Sequence, residues 1–491
     1  MTERHGGDIV GEVLERRGVT HLFALCGGHI SPILVGAKRR GIAVVDVRDE
    51  ASAVFAADAV ARMTGNCGVA AVTAGPGVTN AITAVKNAQM AQTPLILFGG
   101  ATATLLKGRG ALQDIDQLSL VRSAVKWATE IRTVQALGPT LEKAFDVAMS
   151  GVPGPVFLEV PVDVLYPESV VRDWYFKESG VEKAKGLGAK ALELYLKGHL
   201  YKQFHLPHVD LDVRVPDVKL PVGGGEDAQI EKLAEMIRGA ERPVLVVGNQ
   251  TMVGCRDAAS LADAVRAIGM PTWLGGSARG LLGRFAPMQF RHARGKALKE
   301  ADLVVVAGFP FDFRLKYGRG FGKHTEVVSV NLNAAELRKN RRPELAIHAH
   351  PADVLRRIAP LVAGSERRWS AWMEICRARE EARDAEIAGQ ARTSGELVDP
   401  IHLFLRMEEK LADDSVIVAD GGDFVATAAY ILRPRRPLSW LDPGVFGTLG
   451  VGGGFAVGAA ALRREAEVWI VWGDGSCAYS IAEFDTCVRH G

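Results

Sequence analysis

The chain has 491 residues, 48% of them hydrophobic, so it is long enough for roughly three domains with large buried cores. Its 59 basic and 57 acidic residues leave a net charge of +2, and no charge block dominates, which argues against nucleic acid or an anionic membrane as a partner. Six cysteines without metal-binding spacing, a polar N-terminus and no transmembrane segment favour a cytosolic (cytoplasmic) protein with free thiols.

Short apolar runs typical of β-strands alternate with helical patterns over residues 1–165. The predicted strands occupy 21–25, 42–47, 68–73, 94–98 and 156–160, with helices at 51–63 and 79–92. This alternation predicts a parallel sheet that helices cover on both faces. Ligands bind such sheets at the carboxyl ends of the strands, where the Gly27-Gly28-His29 turn, Glu50 and the Gly75-Pro76-Gly77 turn fall.

The alternating pattern stops over residues 166–225, which are lysine-rich and then proline-punctuated. We interpret them as a linker or insertion. Within them, residues 191–204 have the pattern of an amphipathic helix, either packed on a domain or docking at a surface.

Two more α/β units are predicted, at 226–364 and 397–491, joined by a charged linker helix at 365–396. Their predicted strands occupy 243–247, 303–307, 327–330, 416–419 and 468–472. No GxGxxG motif accompanies the central strands, so a nucleotide site there has weak support. The fold class is therefore α/β, with three Rossmann-like, doubly wound parallel-sheet domains, the third incomplete.

The last predicted strand runs into Gly473-Asp474-Gly475-Ser476 and then a helical pattern. Such a strand–turn–helix unit suits phosphate binding because the turn points free backbone N–H groups at an anion. Asp474 could hold a divalent metal that bridges the phosphates, or it could be an ordinary turn aspartate.

Three further polar residues are candidates for chemistry. Glu50 follows a strand and precedes a small-residue helix, where it could bond a heteroaromatic ring nitrogen or simply favour the helix start. His29 is either a proton-transfer group or a capping histidine, and Gln113 is either a hydrogen-bonding group or an ordinary loop residue.

Taken together, these segments resemble the thiamine diphosphate enzymes of the acetolactate synthase superfamily. The resemblance rests on the Glu50 segment, AGPGVTNAITAVKNAQMAQTP at 74–94, the glycine-rich stretch around Leu449 and the GDGS turn, in this order over essentially the whole chain. It implies a first domain that binds the aminopyrimidine, a Rossmann-like central spacer, and a third domain that binds the diphosphate through magnesium.

Residue by residue, the resemblance implies that Glu50 contacts the pyrimidine nitrogen and that Leu449 wedges the cofactor into a bent shape. Asp474 would be the magnesium ligand, with Gly475 and Ser476 on the diphosphate, and His29 and Gln113 would lie beside the reacting carbon. The other implied cofactor-binding positions are Pro76, Asn80, Gly421, Gly422, Thr448 and Gly473. The family also implies a homodimer or homotetramer with active sites at the subunit interface.

Narrower stretches, such as CGGHISPIL and RGALQDIDQLSL, resemble the 2-hydroxyacyl-CoA lyases, an acetolactate synthase-like branch. The glycine–histidine element and EFDT…VR also resemble benzaldehyde lyase. True synthases usually have a Pro-Gly-Gly turn where this chain has Cys26-Gly27-Gly28-His29. We therefore expect a lyase or carboligase that cleaves a 2-hydroxyacyl-CoA to an aldehyde and formyl-CoA. Acetolactate synthase, which uses 2-oxoacids, and an inactive truncated homologue that acts as a subunit are the alternatives.

Two further expectations concern the cofactors. FAD is an open question, because residues 307–314 match the adenine-nucleotide loop of the flavin-containing synthases only in part and could equally hold the ADP part of CoA. The chain stops at Gly491, before the asparagine that is the family's second magnesium ligand. We therefore expect a truncated third domain and weak magnesium–diphosphate binding unless the natural protein continues.

Overall fold

The computed structural model describes residues 5–181, 183, 185–205 and 226–491. The proline-punctuated part of the predicted linker, 206–225, lies outside the described residues. Three parallel sheets follow one another along the described chain, which confirms the predicted α/β class. No helix in these ranges is long and apolar enough to cross a membrane.

The first sheet has six parallel strands in the order β2-β1-β3-β4-β6-β5. They are β1 (His21–Ala24), β2 (Ala43–Asp46), β3 (Gly68–Val72), β4 (Leu95–Ala101), β5 (Trp127–Glu130) and β6 (Pro155–Pro161). The helices are α1 (Gly6–Arg16), α2 (Ser31–Arg39), α3 (Glu50–Thr64), α4 (Pro76–Ala91), α5 (Gln117–Val121), α6 (Val134–Met149) and α7 (Val162–Leu165). The central strands are buried along their whole length because helices cover both faces of the sheet.

The helices α8 (Glu168–Ser179) and α9 (Leu187–His205) follow this domain. The predicted amphipathic helix lies within α9. It buries Leu196 and Leu200 against Val171 and Tyr175, so the helix packs on its neighbours through one face.

The second sheet also has six parallel strands, in the order β12-β11-β10-β7-β8-β9. They are β7 (Pro243–Val247), β8 (Thr272–Leu274), β9 (Gln289–Phe290), β10 (Leu303–Ala307), β11 (Glu326–Asn331) and β12 (Leu345–His348). The surrounding helices are α10 (Asp227–Gly239), α11 (Ala258–Ile268), α12 (Arg294–Glu300), α13 (Ala334–Leu337) and α14 (Pro351–Val362), with 3-10 turns at Asn249–Met252, Gly276–Ala278 and Phe313–Gly318. The chain changes direction between β7 and β10, so a crevice opens at the carboxyl ends of these two strands.

The third unit contains a sheet of three parallel strands in the order β14-β13-β15. Its strands are β13 (Val416–Ala419), β14 (Trp440–Leu441) and β15 (Val468–Val471). A 3-10 turn (Ser365–Trp369) and α15 (Ser370–Gln390) lead into it, and its helices are α16 (Pro400–Lys410), α17 (Asp423–Ile431), α18 (Val451–Leu462), α19 (Asp474–Ser480) and α20 (Glu483–His490).

Helices α3 and α18 pack closely and join the first unit to the third. A Cβ on Gly454 would lie only 2.8 Å from the backbone oxygen of Ser52, and one on Gly458 would collide with the backbone oxygen of Ala56. Phe455 completes the contact by packing edge-on against Phe55, with ring centroids 5.6 Å apart. The two helices can approach this closely because glycine has no side chain at the contact.

This packing gives a testable pair of substitutions. Gly458→Ala is expected to destabilise the protein by about 1–3 kcal/mol, because the added methyl group overpacks the α3–α18 contact. Gly198→Ala is the matched control. Gly198 lies within α9 with open space around it, so alanine should stabilise that helix by up to about 1 kcal/mol. Thermal or urea unfolding measures the stability of both variants. Equal changes in the free energy of unfolding would contradict the close α3–α18 contact at Gly458.

Candidate active site

Glu50 occupies the first position of α3 and is only 7% exposed. The Asn80 side-chain amide, from α4, donates a hydrogen bond to Glu50 Oε2 at 3.1 Å. A Cβ on Gly77 would lie 3.5 Å from Glu50 Oε1, so the first turn of α4, which starts at Pro76, faces the carboxylate. The other carboxylate oxygen has no hydrogen-bond partner among the described residues and is available to a ligand.

Asp49, the neighbouring acid, has a different role. Its Oδ1 accepts hydrogen bonds from the backbone amides of Ala51 at 2.8 Å and Ser52 at 3.4 Å, so it is the N-cap of α3. The cap holds the start of the helix and thereby orients Glu50.

The Gly75 turn connects β3 to α4 and has a left-handed φ of 60°, a conformation that glycine adopts without strain. Its amide donates to Gln117 Oε1 at 2.9 Å, and the Gln117 amide donates to Gly100 O at 3.0 Å and Glu159 Oε2 at 2.8 Å. Sequence reasoning missed Gln117. The only signal in the sequence was a glutamine at the start of a short helical pattern. The structure shows that Gln117 is buried, and the Gly75 turn that it holds is far from it in the sequence.

His29 and Gln113 both lie against this turn. The His29 Nδ1 lies 3.1 Å from Thr73 Oγ1, two residues before Gly75. A Cβ on Gly75 would lie 2.8 Å from the backbone oxygen of Gln113 and would crowd it. Burial lowers the pKa of His29 below its usual value, so the imidazole is neutral at pH 7 and able to accept a proton.

The second group of predicted residues gathers at the carboxyl ends of β13 and β15. A Cβ on Gly421 would lie 2.5 Å from Leu449 Cδ2 and 2.9 Å from the Thr448 backbone oxygen, so the Gly421-Gly422 turn touches the Thr448-Leu449 segment.

The GDGS turn is open to solvent at its centre. The Gly473 amide donates to Ser476 Oγ at 3.1 Å, which closes the turn. Asp474 and Gly475 are exposed, and the Asp474 carboxylate has no partner in the part of the chain that the structure describes. An open carboxylate suits a hard cation such as Mg²⁺.

Asp420 organises this second group, although sequence reasoning assigned it no role. It is fully buried at the end of β13. It accepts hydrogen bonds from the amides of Gly450 at 2.9 Å and Gly452 at 2.7 Å, and from Trp472 Nε1 at 3.1 Å. One carboxylate thus ties the glycine-rich segment to the end of β15, and its only sequence signal was an acid between a buried strand and Gly421-Gly422.

The two groups lie in different units. Within the described ranges, no hydrogen bond joins Glu50, His29 or Gln113 to the residues around the GDGS turn. One polar link between the units is made by Arg48, whose amide donates to Glu483 Oε1 at 3.0 Å and whose side chain pairs with Asp485. The two halves therefore share no direct hydrogen bond and are related through the α3–α18 packing; one half is a buried carboxylate with a free oxygen, and the other is an open acidic turn.

Family models match these two halves and the region between them. The N-terminal thiamine pyrophosphate (TPP) binding domain matches residues 4–120, the central domain of these enzymes matches 230–358, and the C-terminal TPP binding domain matches 420–491. The chain belongs to the thiamine pyrophosphate enzymes. Glu50 and Asn80 fall in the first match and the GDGS turn in the third.

Relatives with known names extend this assignment. The chain is 48% identical to 2-hydroxyacyl-CoA lyase 2 of Danio rerio over 100% of this chain and 79% of that protein. It is 45% identical to 2-hydroxyacyl-CoA lyase 2 of Homo sapiens over 99% of this chain and 77% of that protein. It is 31% identical to an acetolactate synthase large subunit of Mycobacterium tuberculosis over 99% of this chain and 81% of that protein.

These comparisons confirm the family resemblance and place the synthase at a greater distance than the lyases. The chain spans 77–79% of the length of these two lyases, and the predicted C-terminal truncation stays a prediction. The weak magnesium–diphosphate binding that was expected from it stays a prediction, as does the question of FAD.

The bonds to Asp420 lead to a prediction about the second group. Asp420→Asn is expected to lower the free energy of unfolding by about 2–4 kcal/mol, because an amide nitrogen replaces one buried acceptor of backbone N–H groups. Asp423→Asn is the matched control, since Asp423 is exposed on the same turn and should change stability by under about 0.5 kcal/mol. Urea unfolding measures both variants, and a neutral Asp420→Asn would show that this carboxylate does not organise the segment.

Proposed function

We propose that the chain is a magnesium- and thiamine diphosphate-dependent lyase that cleaves a 2-hydroxyacyl-CoA to an aldehyde and formyl-CoA. The identities of 45–48% to proteins named 2-hydroxyacyl-CoA lyase 2, against 31% to an acetolactate synthase, support this choice. The structural observation that carries it is the position of His29 at the Gly75 turn, with Nδ1 3.1 Å from Thr73 Oγ1, on the same sheet edge as Glu50.

The proposed cleavage reaction requires a base, and His29 at the Gly75 turn would supply it. When bound, thiamine diphosphate supplies the nucleophilic carbon and the electron sink for cleavage next to a carbonyl. Breaking the bond between C1 and C2 of a 2-hydroxyacyl-CoA releases the aldehyde as the 2-hydroxyl loses its proton. His29 would accept that proton through its neutral imidazole, and Gln113 would hydrogen-bond the substrate oxygen.

The ends of the cofactor would be held by the two groups described above. Glu50, with one carboxylate oxygen free, would hold the pyrimidine nitrogen, and Asn80 keeps the other oxygen in place. Leu449 would support the bend of the cofactor. Asp474 would hold magnesium, with Gly475 and Ser476 on the diphosphate, as an open acidic turn at a strand end can do.

A cavity of about 890 Å³ between the first and central units supports a CoA substrate. It lies at the carboxyl ends of β7 and β10, the crevice in which such sheets bind nucleotides. Gly308, Asp312 and Arg314 from the partly matching segment 307–314 line it, and the Arg314 guanidinium lies 4.3 Å from the centre of the Phe309 ring. We assign this cavity to the nucleotide part of CoA, and a yellow protein that releases FAD would contradict that.

We also propose a homodimer or homotetramer in the cytosol. Leu112, 82% exposed beside Gln113, and Val488, 82% exposed on α20, are apolar side chains that an interface would cover. Six free cysteines support a reducing compartment. Analytical ultracentrifugation tests the assembly.

The substrate is tested with a panel. The protein with magnesium and thiamine diphosphate is expected to convert a 2-hydroxyacyl-CoA to aldehyde and formyl-CoA, detected by mass spectrometry. With pyruvate alone we expect no acetolactate. Acetolactate formed from pyruvate, without cleavage of the CoA ester, would overturn the proposal in favour of a synthase.

The role of Glu50 gives a second test. Glu50→Gln is expected to slow hydrogen–deuterium exchange at the thiazolium carbon of the bound cofactor by about 10²–10⁴-fold, because the variant lacks the acid–base group. Cofactor binding, measured by calorimetry, should fall much less. Glu409→Gln, an exposed carboxylate of α16 paired with Arg406, is the control and should leave exchange unchanged. Unchanged exchange in Glu50→Gln would rule out this role.

A further inference from the structure

Arg48 lies in the short segment that carries the chain from β2 into α3, directly before Asp49 and Glu50. At the start of this segment, the Val47 amide donates to the Ala24 oxygen of β1 at 2.9 Å. At its end, the Asp49 side chain caps α3. The Arg48 amide lies between these two anchors, so the group that binds it helps to set the path of the backbone into Glu50.

The acceptor of the Arg48 amide is Glu483, from the third unit. The amide donates to Oε1 at 3.0 Å and to Oε2 at 3.3 Å. Glu483 is the first residue of α20 and is only 2% exposed. A carboxylate accepts a stronger hydrogen bond than a neutral group, and the positive end of the helix dipole at the start of α20 stabilises its charge. Glu483 is therefore a firm anchor for the segment before Glu50.

The Glu483 carboxylate is itself held in place. The buried Thr486 hydroxyl donates to its Oε2 at 2.7 Å. The Arg489 guanidinium, one turn further along α20, donates to Thr486 Oγ1 at 3.2 Å and to the backbone oxygen of Asp46 at 2.6 Å. Asp46 is the last residue of β2, so α20 is fastened to the strand that leads into the segment.

We propose that Glu483 is a positioning residue for Glu50: it holds the Arg48 amide, and this bond keeps the Glu50 carboxylate where the cofactor needs it. The inference rests on the proposed acid–base role of Glu50. Glu483 is buried and acts through the backbone of another residue. Positioning of this kind matters because a misplacement of about 1 Å can slow a catalysed step by about 100-fold.

Asp485 contacts the same arginine in a different way. It is exposed, and its Oδ2 accepts from Arg48 Nε at 2.6 Å. An exposed ion pair contributes little, and this one holds the Arg48 side chain and not the backbone. Asp485 is therefore the matched control on the same helix.

Hydrogen–deuterium exchange at the thiazolium carbon of the bound cofactor tests the role of Glu483. Glu483→Met, of similar length but without an acceptor, is expected to slow this exchange at least about tenfold. The Kd for thiamine diphosphate, measured by calorimetry, should change by less than about threefold, because the lost contact affects a step and not binding. Glu483→Gln keeps an oxygen acceptor and should stay within about threefold of the parent exchange rate.

Three further variants separate positioning from a loss of stability. Thr486→Val removes only the hydroxyl that holds Glu483, and it should slow exchange by about threefold even if the methionine variant does not fold. Asp485→Asn should exchange at the parent rate. Leu261→Ala, in the core of the central unit, should lower the Tm and still exchange at the parent rate.

The parent exchange rate in both Glu483→Met and Thr486→Val, measured beside a slow Glu50→Gln, would overturn this inference and leave the role of Glu50 intact. Slow exchange in Asp485→Asn or Leu261→Ala would also overturn it, because the effect would then not depend on the Arg48 amide. The exchange needs no substrate. A failed lyase assay would therefore leave this inference standing, and its own failure would leave the proposed lyase activity standing.

Discussion

The close contact of α3 with α18 is the constraint on which the rest of the structure depends. Glycines at 454 and 458 bring the two helix backbones together, and any larger side chain there would meet the carbonyl oxygens of Ser52 or Ala56. Because α3 begins at Glu50 and α18 follows the Leu449 segment, this one contact relates the two halves of the candidate active site. The small residues of these helices therefore position the two halves of the candidate active site, in addition to packing in the core.

Within each half, one buried polar side chain holds the backbone that ligands would contact. Gln117 bonds the Gly75 amide and so sets the turn beside Glu50, His29 and Gln113. Asp420 does the same for the glycine-rich segment of the third unit. Both are buried and hydrogen-bonded through several atoms, which makes the turns rigid without using the residues that were predicted to face a ligand. Among the described residues, one oxygen of Glu50 and the carboxylate of Asp474 have no hydrogen-bond partner.

Much of the fold could be predicted from the sequence, and there are physical reasons why some strands and positioning residues were missed. The strands 243–247, 303–307 and 416–419 were predicted with the bounds that the structure has, because buried parallel strands are continuous apolar runs. The strands β5, β8, β9, β12 and β14 were not predicted. They have only two to four residues each, and most lie at or next to a sheet edge, where little apolar sequence is needed. Gln117 and Asp420 were missed as positioning residues because their partners are distant in sequence.

The sequence by itself determined the fold class and the family, and it predicted which residues would hold the cofactor, because strand periodicity and the glycine turns are local properties of the chain. Only the tertiary structure decided that Asn80 pairs with Glu50 and that Asp420 ties the glycine-rich segment to β15. Those facts depend on which segments meet in space. Hydrogen bonds and burial between distant segments leave no periodic signal in the sequence.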